Sequence, residues 1–435
     1  MRLELVSFPV GDVRFGEKTS FNKGLLEINK EELLALVLED KRVASGDLAV
    51  AFPGEQTRIV NIRDVVEPRT KVLGPGCIFP GILGPVETVG EGRTHRLSGV
   101  TVMHSAEYEP EVLAGTGAGN TGLVDMSGPG AALTPLASTI NIVLTTKLVG
   151  GLTELEAHNV IQLAQFRVAH RLAETTRTVP ADNVEVLELV EVDSSLPRIV
   201  YILGCYSEWH IPHPSVAYYG YPIRESLPTF VHPNELVDGA LTTDARKGDG
   251  SRPTTWQWMN HPVVLALLRE HGKRLNFLGI ILQRTRFETE FGKKITAACT
   301  SQMARLLRAN GAIITRMSPS GNNLMDIMLT VQSCERKGVN TVFLTPEVCD
   351  SDGTGLPLQF YVQEASAMIS ASNLNAEVRL PAMMNVVGCG EGGFVIPRPG
   401  AKPISPWSEI TLERRTNIAD GIDWFGGMHF ACVGY

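Results

Sequence analysis

The sequence predicts an α/β protein in which a β-rich N-terminal domain precedes a domain built on a mainly parallel sheet. Short alternating runs bounded by Gly and Pro fill the first 150 residues, as is typical of strands joined by turns. From Arg198 onward, apolar strand-like runs alternate with helical ones, which is the pattern of a parallel sheet flanked by helices. The predicted division is therefore 1–150, a helix and linker at 151–197, and 198–435.

The first half contains two predicted helices. The apolar residues of 30–39 recur at helical spacing. A second helix over 152–177 starts with Thr153 followed by Glu156, which matches a capping box. The glycine-rich segment 117–122 lacks a strand–loop–helix frame, so a flexible loop is favoured over a phosphate site. Strands are predicted at 48–52, 57–62 and 98–104.

The second half is predicted to alternate strands and helices. Buried strands are expected at 198–206, 276–283, 312–317, 341–346 and 376–381. Helices are expected at 263–272, 295–311 and 323–338. Gly272, Gly311 and Gly338 stand where a glycine commonly ends a helix.

Composition excludes several classes of function. The 435 residues carry a net charge of −8 without a basic run, which argues against nucleic-acid binding. No apolar run approaches the roughly 20 residues of a membrane span, and the N-terminus lacks a signal pattern. Seven scattered cysteines without a C-x-x-C motif fit neither a disulfide scaffold nor a thiolate zinc site. We therefore expect a cytoplasmic protein that acts on a small molecule, and we expect a homo-oligomer.

Candidate site residues follow the predicted parallel strands. Ligands of open parallel sheets bind beyond the carboxyl ends of the strands. Helix starts favour anions, so the loop after 312–317 is a candidate substrate site, although simple N-capping by Ser or Asn is the competing interpretation. The predicted catalytic residues are Glu208 and Cys349, and the predicted substrate-binding residues are Tyr219, Ser318, Asn322 and Asn323. Tyr219 belongs to an aromatic run that would line either a pocket or a core.

Four of the ten histidines lie between His210 and His261. His210 and His213 form a His-x-x-His pair that prolines keep out of a helix. Together with a carboxylate, two or three histidines suit non-haem iron, and also zinc or manganese. The predicted metal ligands are His210, His213, His232 and Glu347, with Glu208 as the alternative carboxylate. The competing interpretation is structural, with the histidines capping helices and holding turns.

Short motifs spread over nearly the whole chain resemble those of the component B proprotein of glycine, sarcosine and betaine reductases, which is related to the D-proline reductase proprotein. The matching segments are MRLEL (1–5), FGEKT (15–19), KEELLAL (30–36), PGE (53–55), VVEPR (65–69), IFPG (78–81), GRTH (92–95), VDMSG (124–128), LPTF (227–230), VDGAL (237–241), HGK (271–273), NFLGIIL (276–282), TVFLT (341–345) and GY (434–435). The resemblance implies a precursor that cleaves itself before a cysteine just after the VDGAL segment. That cysteine becomes a pyruvoyl group, which captures the substrate amine, and a separate selenocysteine subunit completes reductive C–N cleavage.

The chain departs from this pattern where the cysteine is expected. No cysteine occurs between Cys205 and Cys299, and VDGAL is followed by Thr242 and Thr243. A pyruvoyl group is therefore not expected, although self-cleavage at Thr242, Thr243 or Ser251 is an alternative. The favoured hypothesis is an oxidoreductase or oxygenase in which Fe(II) replaces the lost carbonyl and acts on a small nitrogen-containing substrate. The alternative is a non-catalytic or accessory subunit of a reductase-type complex.

Overall fold

The structure is a computed structural model that describes residues 1–107, 122–206, 216–243, 252–317, 321–388, 395 and 401–427. The described α-helices are α1 (Lys30–Leu38), α2 (Gly128–Ala131), α3 (Glu154–Glu174), α4 (Pro233–Val237), α5 (Thr255–Met259), α6 (Pro262–Glu270), α7 (Glu290–Leu306) and α8 (Gly321–Glu335). Short 3-10 turns lie at Pro135–Ser138, Ile223–Glu225 and Arg415–Asn417. In the described part of the chain, no helix is both long and apolar enough to span a bilayer.

Strands dominate the first half of the chain. They are β1 (Arg2–Pro9), β2 (Asp12–Phe15), β3 (Ser20–Asn22), β4 (Leu25–Ile28), β5 (Val43–Ala51), β6 (Thr57–Val60), β7 (Ile62–Val66), β8 (Arg69–Leu73), β9 (Gly92–Ser98), β10 (Val100–Glu107), β11 (Leu123–Asp125), β12 (Ile140–Leu148) and β13 (Val184–Glu188). Two four-stranded sheets, in the orders β13-β1-β9-β8 and β5-β12-β10-β7, form its frame, and β2, β4 and β3 form a smaller sheet. Helix α3 packs along β8 and β10, and its apolar face closes one core.

The remaining strands follow in the second half. They are β14 (Arg198–Tyr206), β15 (Val216–Tyr218), β16 (Tyr221–Pro222), β17 (Thr229–Val231), β18 (Leu241–Thr243), β19 (Asn276–Thr285), β20 (Gly311–Arg316), β21 (Asn340–Glu347), β22 (Met368–Asn373), β23 (Val378–Leu380), β24 (Asn385–Gly388) and β25 (Ile410–Leu412).

A six-stranded sheet in the order β17-β19-β14-β20-β21-β22 organises the second half. Strands β19, β14, β20, β21 and β22 run parallel, and only β17 runs antiparallel to its neighbour. The chain passes from β14 to β19 on one side, then crosses to β20 on the other side and continues outward. Beside β14 the direction of winding therefore reverses, which is the usual position of a ligand crevice in such sheets.

Two apolar layers cover the faces of this sheet. Residues of α7 and α8 pack with Ile202 and Ile314 on one face, while α6 packs with Tyr201 and Leu203 on the other. Neighbouring residues of one strand thus enter different cores, as strand geometry requires. The predicted mainly parallel α/β sheet is present, and the mixed α/β class is confirmed.

The C-terminal part of the chain returns to the first half. Strand β24 pairs in parallel with β6, which also pairs with β11. The buried Arg58 of β6 forms two hydrogen bonds with Asp125 and donates to the carbonyls of Pro381, Pro406 and Ser408. Residues from the first and third predicted regions therefore share a core.

Several local predictions can be compared directly. Helix α1 is confirmed, and Asn29 caps it. Thr153 and Glu156 form the predicted capping box of α3. Gly272 and Gly338 have the positive φ angles expected after a helix. The prediction for Gly311 is wrong, because α7 ends at Leu306 and Arg308 adopts the left-handed conformation, so Gly311 begins β20.

Candidate functional site

The predicted site residues divide into a described and an undescribed group. Glu208, His210, His213 and Ser318 lie outside the described residues. The described members are Tyr219, His232, Asn322, Asn323, Glu347 and Cys349.

Glu347 and Cys349 lie together at the carboxyl end of β21. The Cys349 Sγ donates a hydrogen bond to Glu347 Oε2 at 3.3 Å. Burial, assisted by this carboxylate, raises the pKa of the Cys349 thiol. Because the thiolate is the nucleophilic form, this environment disfavours a nucleophilic role for Cys349. The pair occupies the predicted edge of the sheet, but the thiol is held protonated.

His232 caps helix α4. Its Nδ1 accepts a hydrogen bond from the Asn234 backbone N–H at 3.2 Å, and the backbone N–H of His232 donates to Glu235 Oε1 at 2.8 Å. Burial lowers the pKa of His232 to about 4, so the ring is neutral near pH 7. The histidine therefore performs the capping function that Ser or Thr usually performs in a capping box.

His232 and Glu347 do not come together. Strand β17 runs antiparallel to β19, with Val231 beside Ile280, so His232 follows toward the amino end of β19. Glu347 closes β21 at the carboxyl end of the sheet. Four strand spacings separate β17 from β21, which is roughly 20 Å. The structure therefore does not bring His232 and Glu347 together, because no single ion can contact both side chains at this separation.

No group of three or more His, Cys, Asp or Glu side chains within the described ranges is arranged to hold a metal ion. A role for His210 and His213 as ligands stays a prediction.

Tyr219 lies near His232, since both residues hydrogen-bond to Glu235, and it does not lie at the carboxyl edge of the six-stranded sheet. Its hydroxyl donates to Glu235 Oε2 at 2.8 Å and accepts from the Val89 N–H at 3.2 Å. Tyr218 donates to the same Glu235 oxygen at 2.6 Å. Glu235 thus joins the tyrosines to α4, and the Tyr219 hydroxyl already has both a donor and an acceptor partner. This arrangement favours a structural role over substrate binding.

Asn322 and Asn323 lie in the first turn of α8, immediately after β20. The Asn322 side-chain oxygen is buried and has no hydrogen-bond partner in the described structure. Arg316, the last residue of β20, is also fully buried, and it precedes the first residue of α8 by five positions in the sequence. Sequence reasoning missed Arg316, although a charged residue ending a strongly apolar strand was a visible signal.

The segment that matches VDGAL has clear structural reasons for its residues. Asp238 accepts hydrogen bonds from Lys71 Nζ, the Gly90 N–H at 2.8 Å and Thr94 Oγ1 at 2.6 Å. Gly239 has a φ of 76°, and a Cβ there would lie 2.7 Å from the Phe79 ring. This turn is therefore a packing element that delivers the chain into β18.

Strand β18 places Thr242 and Thr243 in the interior. The Thr243 hydroxyl donates to the Pro253 carbonyl and accepts from the Trp258 indole, both at 2.6 Å. The Thr242 hydroxyl is buried and has no hydrogen-bond partner in the described ranges. A hydroxyl nucleophile needs an adjacent base, and neither threonine has one among the described residues. These residues do not fit a cysteine-derived pyruvoyl group, and Ser251 lies outside the described residues.

A buried acidic pair lies behind β18. Asp64 accepts from the Thr255 backbone N–H at 2.8 Å and from its hydroxyl at 2.6 Å. Asp420 accepts from the Thr254 N–H at 2.9 Å and from its hydroxyl at 2.7 Å. Burial raises the pKa of Asp64 to about 7 and that of Asp420 to about 6. No sequence motif indicated this pair, because its members lie toward opposite ends of the chain.

Comparison with known proteins defines the family. Residues 1–394 match the family of glycine/sarcosine/betaine reductase component B subunits. Glycine reductase complex component B subunits alpha and beta of Acetoanaerobium sticklandii are 32% identical over 394 residues, with 89% of each chain covered. No solved structure matches the chain.

Two further relatives come from Peptoclostridium acidaminophilum. The sarcosine reductase complex component B subunit alpha is 33% identical over 394 residues, covering 89% of each chain. The betaine reductase complex component B subunit alpha is 33% identical over 398 residues, covering 89% of this chain and 88% of its own. The chain therefore belongs to the family of component B subunits of glycine, sarcosine and betaine reductases, as the sequence motifs indicated.

Proposed function

We propose that this chain is a component B-type subunit of a reductase complex that acts on a small nitrogen-containing carboxylate. The observation that carries the proposal is its similarity, over 89% of its length, to relatives named for glycine, sarcosine and betaine reductases. These three compounds share one structural feature: a single carbon atom links the nitrogen to the carboxylate. A chain that is 32–33% identical to these relatives is expected to accept a compound with that feature.

The reducing electrons are proposed to come from a partner. Burial raises the pKa of the Cys205 thiol and that of Cys349, so both are protonated and poor reductants near pH 7. The relatives are components of complexes by name, which supports a multi-subunit arrangement here. The expected homo-oligomer is part of the same proposal.

The finer proposal concerns how the substrate is activated. The cysteine expected from the family resemblance is absent, so a redox metal, with iron preferred over zinc or manganese, is proposed to supply the missing chemistry. His210 and His213 would hold it, with Glu208 as the available carboxylate on the same segment. His232 and Glu347 drop out of this proposal because of their separation.

The experiment is a depletion assay in an extract of the source organism supplied with a dithiol. Reductive C–N cleavage releases ammonia from glycine, methylamine from sarcosine or trimethylamine from betaine. We expect immunodepletion of the chain to abolish release of one of these amines and the purified chain to restore it. Unchanged release of all three amines after complete depletion would refute the proposed function.

A further inference from the structure

Of three fully buried arginines in the described structure, two pair with carboxylates and the third, Arg316, does not. Arg58 pairs with Asp125 and also donates to backbone carbonyls. Arg69 pairs with Glu67 and donates to the Val237 carbonyl and to Asn260. Arg316, 1% exposed, makes a single side-chain hydrogen bond, from Nε to Thr345 Oγ1 at 2.9 Å.

The two terminal nitrogens of Arg316 are the unusual feature. Both Nη1 and Nη2 are buried, and neither has a hydrogen-bond partner among the described residues. Burial lowers the pKa of the guanidinium to about 9, so it still carries its charge near pH 7. An isolated buried charge is strongly unfavourable, and folded proteins normally pair such groups. Two forked donors are thus left for a group that is not part of the described chain.

Arg316 lies at a position where parallel sheets commonly bind ligands. It ends β20 beside β14, where the winding of the sheet reverses and parallel sheets bind their ligands. Its register partner on β14 is Gly204. A Cβ on Gly204 would lie 2.5 Å from the Ile327 side chain and 2.8 Å from the Thr315 carbonyl, so this crowded position excludes a side chain that could pair with Arg316.

The direction of the side chain follows from strand alternation. Thr315 contacts the Tyr201 hydroxyl on the α6 face, so Arg316 points to the α7 and α8 face with Ile314. Helix α8 begins on this face five residues after Arg316, and its amino end favours negative charge. Its first turn also holds the unpartnered Asn322 oxygen.

We propose that Arg316 binds the carboxylate of a small amino-carboxylate substrate through its two terminal nitrogens. The planar guanidinium fork matches the two oxygens of a carboxylate and forms paired, charge-assisted hydrogen bonds with it. The choice among carboxylates rests on the proposed function, which supplies glycine, sarcosine and betaine as probes. Arg316 would then set specificity for an acid and reject a simple amine.

Binding is measured by isothermal titration calorimetry on the purified full-length chain with glycine, sarcosine, betaine, acetate, methylamine and inorganic phosphate. At least one carboxylate should bind the wild type, and methylamine should not. Loss of two charge-assisted hydrogen bonds predicts roughly 100-fold weaker binding in Arg316→Gln. Arg316→Lys should recover part of the affinity, because it restores charge without the fork. The control Arg269→Gln, which removes an exposed pair with Glu185, should bind like the wild type.

Thermal denaturation shows whether each variant is folded. Without ligand, Arg316→Gln should melt at or above the wild-type temperature, because it removes an uncompensated buried charge. The inference is overturned if no carboxylate binds the wild type, if Arg316→Gln binds equally well, or if phosphate alone binds. Amine release that depends on the chain but is unaffected by Arg316→Gln would overturn this inference and leave the proposed function standing. If carboxylate binding depends on Arg316 but immunodepletion of the chain leaves amine release unchanged, this inference stands and the proposed function is refuted.

Discussion

Replacing Asp64 by asparagine should change how stability depends on pH. Burial raises the pKa of Asp64 to about 7 in the folded chain, against about 3.9 for an unfolded aspartate. The folded state then holds a proton that the unfolded state has already released. Stability from this group is therefore full below pH 4, and it is lost as pH rises toward 7.

The magnitude follows from the pKa difference. About three pKa units at 1.36 kcal/mol each correspond to about 4 kcal/mol once both states are ionised. At pH 5 the unfolded carboxyl is already largely ionised, so roughly 3 kcal/mol of this loss remains between pH 5 and pH 9. The asparagine amide of the variant resembles the neutral acid, because its oxygen can accept from the Val65 and Thr255 N–H groups as Asp64 Oδ1 does.

Urea denaturation at pH 5, 7 and 9 measures the effect. Between pH 5 and pH 9 the wild type should lose roughly 3 kcal/mol more unfolding free energy than Asp64→Asn. Asp182→Asn, at an exposed position, is the matched control and should follow the wild type. Parallel pH profiles for the wild type and Asp64→Asn would show that Asp64 is ionised in the folded chain and would refute the argument.

Three further outcomes are expected. Arg58→Ala should lower the free energy of unfolding, measured by thermal denaturation, by about 3–5 kcal/mol, because it leaves the buried Asp125 carboxylate without its partner. Arg14→Ala removes an exposed pair and should lower it by less than about 1 kcal/mol. Equal losses would contradict the burial argument. Intact mass should show one species of 47.3 kDa, and two fragments, one of them starting with a carbonyl-modified residue, would instead establish self-cleavage. Metal analysis should find iron in the wild type and none in a His210→Ala, His213→Ala double variant, and a metal-free wild type would refute the iron proposal.

The sequence predicted elements well where the signal was local. Apolar runs placed β14, β19, β20 and β21 nearly to the residue, since a strand buried on both faces must be apolar throughout. The capping box of α3 was visible because both partners lie within one helical turn. The segment 376–381 was harder, since its strand β23 pairs with β25 apart from the main sheet.

The candidate site was predictable only in part. The rule for parallel sheets located the edge where Glu347, Cys349 and Asn322 lie. His232 was assigned to the metal set from the histidine cluster, and the antiparallel strand β17 carries that residue toward the other end of the sheet. Strand β17 has only three residues, Thr229–Val231, which are too few for alternation along the sequence to reveal its direction.

The sequence by itself determined the family, the strand–helix alternation and the loss of the cysteine, since each depends on residue identity or on short spacing. Only the tertiary structure decided which polar groups meet. Arg316 has terminal nitrogens without a partner in the described chain, Asp64 lies in a buried acidic pair, and His232 is separated from Glu347. These facts were not visible in the sequence, because burial and hydrogen bonding depend on strands brought together from distant parts of the chain.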